Sequence, residues 1–119
     1  MGAIGQVRDH LAAALAEVGV PVYPRPAGAV PPPCVLLVPR EPYVDPGAAW
    51  GSRSVGLDVR LVVGDSPDAT AVLDDLIDAV VTALQSAATE VGTVPAPQPD
   101  EQQAVLVVDI PTTTNWKEE

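Results

Sequence analysis

The sequence predicts an α+β fold, a two-layer sandwich with a mainly antiparallel four-stranded sheet and two helices packed on one face, in the order α-β-β-β-α-β. Three observations lead there. Segments 3–18 and 65–87 each repeat apolar residues at three- and four-residue steps, the mark of a helix with one buried stripe. Residues 55–63 alternate instead: Val55, Leu57, Val59, Leu61 and Val63 are separated by Gly56, Asp58, Arg60 and Val62, the period of a strand with one buried face. Residues 34–39, CVLLVP, form a continuous apolar run, as in a strand covered on both faces.

In the first helix the stripe is Ile4, Val7, Leu11, Ala14, Leu15 and Val18, and Gly19 ends it by accepting a left-handed conformation. VPVYPRP, 20–26, is a short edge strand, because proline cannot donate to an interior ladder. AGAVPPP, 27–33, is a loop whose prolines hold its end extended. Segments 34–39 and 53–64 then read as the arms of an extended antiparallel hairpin. In the second helix Ser66 is placed to cap, Pro67 suits the first helical position, and Asp68 favours the positive helix start. Its stripe is Val72, Leu73, Leu76, Ile77, Val80 and Leu84. A Pro-rich connection, 91–103, leaves room for a short extra strand near 91–94. The last strand lies within 104–116, is ended by Pro111, and leaves 111–119 as a polar tail. The whole chain, 1–119, is read as one domain.

Its core is expected to be thin and aliphatic, since the chain has no Phe and only 3% aromatic residues. Such a core favours burial of further apolar surface by self-association. The formal charge is −10 and lopsided. Five arginines balance five acids up to residue 64; beyond it eleven acids face a single Lys117. That pattern argues against a phosphate-gripping surface, which needs clustered Lys and Arg, and leaves open an acidic face that repels DNA. The single cysteine, Cys34, makes no internal disulfide, and Arg8, Asp9 and His10 interrupt any apolar leader. No apolar run approaches the roughly 18 residues of a membrane span. The expectation is a protein folded in a cytoplasm, without a membrane partner.

Residues that carry chemistry are scarce. His10 sits at the edge of the first helix's apolar face with no neighbour in sequence to tune it, and Cys34 opens an apolar strand as a core thiol. Asp74, Asp75 and Asp78 share the polar side of the second helix; three carboxylates on one exposed helix lack a second, fixed source of metal ligands. No catalytic set, cofactor site or metal site is predicted, and the chain is not expected to be an enzyme. The hairpin connection is different: Tyr43, Asp45, Trp50 and Arg53 gather there, and Tyr, Trp and Arg are the types enriched at protein–protein hot spots. Trp116, in TTTNWKEE, raises the same question. Trp50 either folds back to cap the thin core or belongs to a docking arm buried against a neighbour.

An N-terminal helix, a Pro-broken first strand, a long hairpin with a Gly-rich loop, a helix of the LDDLIDAVVTAL type and a final strand together resemble the tail terminator proteins of long-tailed (siphovirus-type) bacteriophages, especially those of actinobacterial phages. The resemblance spans residues 3–116 and rests on length, element order and the hairpin. It implies a structural virion protein of the neck, made in the host cytoplasm. Its subunits would form a homohexameric ring on the tail tube protein, stop tube polymerisation, and offer a joining surface to the head–tail connector or stopper protein. DNA would pass through without specific binding, along a lumen that Asp74, Asp75 and Asp78 are placed to line. Two other readings stay open: another neck component of the stopper type, and a small dimeric regulatory or ligand-binding module.

Overall fold

A computed structural model describes residues 3–24, 32–46, 52–87 and 89–117. Helix α1, Ala3–Leu15, tightens into a 3-10 turn, Ala16–Val18, and stops at Gly19, whose φ of 94° is the left-handed conformation that glycine adopts without a Cβ penalty. Strands β1 (Val22–Tyr23), β2 (Cys34–Pro46) and β3 (Ser52–Gly64) follow, then helix α2 (Ala69–Ser86), two short strands β4 (Glu90–Val91) and β5 (Gln98–Asp100), and β6 (Val105–Lys117). The result is a compact α+β protein with two helices and an open, mixed six-stranded sheet, mostly antiparallel, in the order β1-β2-β3-β6-β4, with β5 also on β6.

The sheet departs from expectation in four places. It has six strands, because β4 and β5 both pair with the outer edge of β6. Strand β1 runs parallel to β2, which makes the sheet mixed. Strand β2 does not end at Pro39: the register slips between Pro39 and Val44, and pairing then resumes to Pro46. Nor does Pro111 end the last strand, which continues to Lys117 in unbroken register with β3. The reason is directional. The Pro111 carbonyl accepts the Gly92 N–H at 2.8 Å on the outer side of β6, so the proline nitrogen also faces outward and the ladder to β3 loses no donor. Pro39 is tolerated in the same way, since it shares the outward side of β2 with Val35, whose N–H donates to the Pro21 carbonyl.

Alternation in β3 places the core. Val55, Leu57, Val59, Leu61 and Val63 join Val35 and Leu37 of β2 and Val108 and Ile110 of β6 in one buried cluster with Val7, Leu11 and Leu15 of α1 and Leu73, Leu76, Val80 and Leu84 of α2. On the opposite face Cys34, Val62 and Val105 make a smaller cluster. Two threonines of β6 enter the interior because their hydroxyls are satisfied: Thr112 donates to the Leu57 carbonyl at 2.7 Å, and Thr114 meets the Thr89 hydroxyl at 3.1 Å. Helix α2 begins later than the sequence implies. Ser66 does not cap it; its hydroxyl donates to Asp68 at 2.6 Å and its carbonyl accepts the Ala69 N–H, forming a turn before the helix.

The two helices run antiparallel and staggered. His10 Nε2 lies 3.0 Å from the Ala87 carbonyl at the end of α2, and the groove between them continues from there to Glu17 and Val18 beside Ala79. The first half of α2 therefore extends past the end of α1. At the other end β2, β3 and β6 continue together, and the molecule measures 50 × 26 × 22 Å.

Candidate functional site

The candidate site is the arm formed by the ends of β2, β3 and β6. Its rows are fixed by register: Asp45 pairs with Ser54 and Ser54 with Asn115; Pro46 pairs with Arg53 and Arg53 with Trp116; Ser52 pairs with Lys117. The Ser54 hydroxyl ties two strands together by donating to the Asn115 side-chain oxygen at 2.7 Å. Asp45, Arg53 and Trp116, far apart in the chain, are thus brought to one end of the sheet. Tyr43 lies in the stretch between Pro39 and Val44 where the register with β3 shifts. Trp50, in 47–51 between β2 and β3, lies outside the described residues.

Trp116, expected in a polar tail, instead occupies a strand position opposite Arg53. The signal was present in the β-branched run Thr112, Thr113 and Thr114, which favours a pleated strand; reading Pro111 as a stop concealed it.

Asp74, Asp75 and Asp78 are all exposed on α2. Asp74 and Asp78 stand one turn apart, and Asp65, Asp68, Asp100 and Glu101 add further negative charge near the same end of the molecule. Among the described residues no group of three or more His, Cys, Asp or Glu is arranged to hold a metal ion, and no helix is long and apolar enough to cross a membrane.

One cross-strand pair was not anticipated. On the face of the sheet away from the core cluster, Arg60 makes a two-pronged bridge to Asp109, with Nε to Oδ1 at 2.8 Å and a second nitrogen to Oδ2 at 3.1 Å. The hydrogen bond to Asp109 pushes the Arg60 guanidinium above its ordinary range. With both side chains more than a third exposed it fixes register more than it adds stability.

His10 serves the fold, its ring sitting against the carbonyl that ends α2. Cys34 is fully buried, and burial pushes its thiol above the ordinary value of 9.0. Two outcomes are expected. A thiol reagent at neutral pH should leave Cys34 unmodified until the protein is unfolded. Because the folded thiol is the weaker acid, its contribution is intact below the unfolded value and is lost as pH rises through the folded one. A urea midpoint that falls above pH 9 in the native protein, and falls less in Cys34→Ala, would show this linkage.

No protein-family model matches the chain, and no curated protein matches it.

Proposed function

We propose that this chain is a structural virion protein, a tail terminator of the long-tailed phage type, acting by contact rather than by turnover. The observation that carries the reading is the arm. Three paired strands end together, and their register sets Arg53 opposite Trp116 in a chain otherwise poor in aromatic residues. On this reading the fold is a two-layer sandwich whose helices share one face and whose β2–β3 hairpin is the extended element that the resemblance leads one to expect. The arm, with Tyr43, Asp45, Trp50, Arg53 and Trp116, meets a neighbouring subunit or the tube. The proposed partners are five further copies, the tail tube protein, and the connector or stopper protein above.

The acidic end fits the same role. Asp74, Asp75 and Asp78 are proposed to line the hole through which DNA passes; carboxylates offer its phosphates no counter-charge, so the duplex slides without being held. The test is to add the purified protein to growing tail tubes and image their ends, with light scattering to weigh the free protein. Rings at tube ends, halted growth and a hexameric mass are expected. Tubes that grow on with bare ends remove the proposal, and a strict dimer favours the regulatory module.

A further inference from the structure

We infer that Arg60, Asp109 and Asp58 together select the register of β6 on β3, and so position the rows of the arm. The inference concerns the arm itself and holds whatever the arm meets. In the observed register Arg60 stands opposite Asp109, Asp58 opposite Pro111 and Val62 opposite Val107. On the core side the same strands pair Leu61 with Val108, Val59 with Ile110, Leu57 with Thr112 and Val55 with Thr114. A slip of one residue is excluded there, because it turns the core residues to the other face. A slip of two residues keeps every side chain on its own face. The core side discriminates weakly against it, since β3 presents only Val and Leu in alternation from Val55 to Val63. Each core residue of β6 from Val108 to Thr114 would exchange a Leu partner for a Val, or the reverse.

The outer face tells these registers apart by charge. If β6 moves so that Asp109 stands opposite Asp58, two carboxylates face each other and Arg60 is left opposite Val107. If it moves the other way, Asp109 stands opposite Val62 and Arg60 opposite Pro111. Only the observed register gives the two-pronged bridge, at 2.8 and 3.1 Å. Asp58 also attracts Arg60, two residues along the same strand, so it holds the guanidinium in place while it repels a misplaced Asp109. The arm follows this choice. The first slip would set Arg53 opposite Thr114, and the second would set Trp116 opposite the buried Val55. Arg60, Asp109 and Asp58 are thus positioning residues for a surface they do not belong to, a use of ion pairs that is separate from stability.

The test reads the register by disulfide. Ser54 and Asn115 stand opposite each other with side-chain atoms 2.7 Å apart, and a cysteine pair there is within bridging reach. The diagonal from Ser54 to Thr113 is about 7–8 Å in the observed register, beyond that reach, and closes only when Asp109 slips opposite Asp58. Ser54→Cys is therefore combined with Asn115→Cys or with Thr113→Cys, and each is equilibrated with glutathione; Cys34 is buried. With native charges the first link should exceed the second about tenfold or more. Exchanging the charges, Arg60→Asp with Asp109→Arg, keeps an ion pair in the observed register but lets the new arginine meet Asp58 in the slipped one. The two links should then form within about threefold of each other, and adding Asp58→Asn should return the first to dominance. A bridge that served stability alone would give the first link in every case. Overturning results are an exchanged protein that forms only the first link, links that stay equal after Asp58→Asn, or equal links with native charges. Should the exchanged protein fail to fold, Asp109→Asn alone should raise the share of the second link about threefold, and an unchanged share overturns the inference.

Discussion

Leu61→Ala is expected to cost about 3–4 kcal/mol of stability, the largest single loss in this chain. Leu61 is fully buried in the central part of β3, with Val35 and Val108 as its partners on the two neighbouring strands and the core residues of both helices in the same cluster. Removing its isobutyl group forfeits the transfer free energy and leaves a cavity, and the surroundings are poorly able to fill it. Among the described residues the largest fully buried side chains are all Leu, Ile or Val, and strands locked in register on both sides of β3 do not collapse inward. Against a total stability of about 5–15 kcal/mol, such a loss takes a large fraction of the margin. It should appear as a fall of about 2 M in the urea midpoint with an unchanged slope. Val72→Ala is the control on the same kind of residue: at 43% exposure it should change stability by no more than about 0.5 kcal/mol. If Leu61→Ala costs under about 1 kcal/mol, that face of β3 is not the tightly packed interior.

The contrast between Leu61 and Val72 also shows what a single sequence conveys. Alternation in β3 was legible because side-chain direction in a strand is local: each odd position from Val55 to Val63 points to the buried side whatever its partners are. Periodicity in α2 was legible for the same reason, and Leu73, Leu76, Val80 and Leu84 are buried. Val72 fits that period and is exposed, because its cover depends on where α1 ends, which is a tertiary fact. Pro111 misled in the opposite direction. A missing N–H breaks a ladder only if it faces one, and here it faces the outer edge of β6, so the strand carries on and brings Trp116 to the arm. The candidate site was thus half legible. Its residue types pointed to an assembly surface, but the row that joins Arg53 to Trp116 is a matter of register, and no residue in the loop encodes it. The bridge between Arg60 and Asp109 was hidden in the same way, by a separation that only strand pairing closes.

Trp116→Ala is expected to weaken assembly by about 2 kcal/mol or more at each contact, roughly thirtyfold, while leaving the dilute monomer near its original stability. Trp50→Ala should do the same. The outcome depends on where these rings find apolar surroundings. Among the described residues β3, β6 and both helices close over an aliphatic cluster, and Val55 and Thr114, a cross-strand pair at the base of the arm, are buried. On the proposed reading, a tryptophan two rows further along β6 gains its largest burial when a neighbour arrives. If the proposed ring forms through the arm, each subunit contributes one arm, so the loss is felt at every junction and closure should fail before folding does. Mass measured against concentration reads the first effect, and urea unfolding of dilute protein reads the second. Should either substitution instead lower monomer stability by about 3–5 kcal/mol, that tryptophan caps the core, and the arm must bind through its remaining residues.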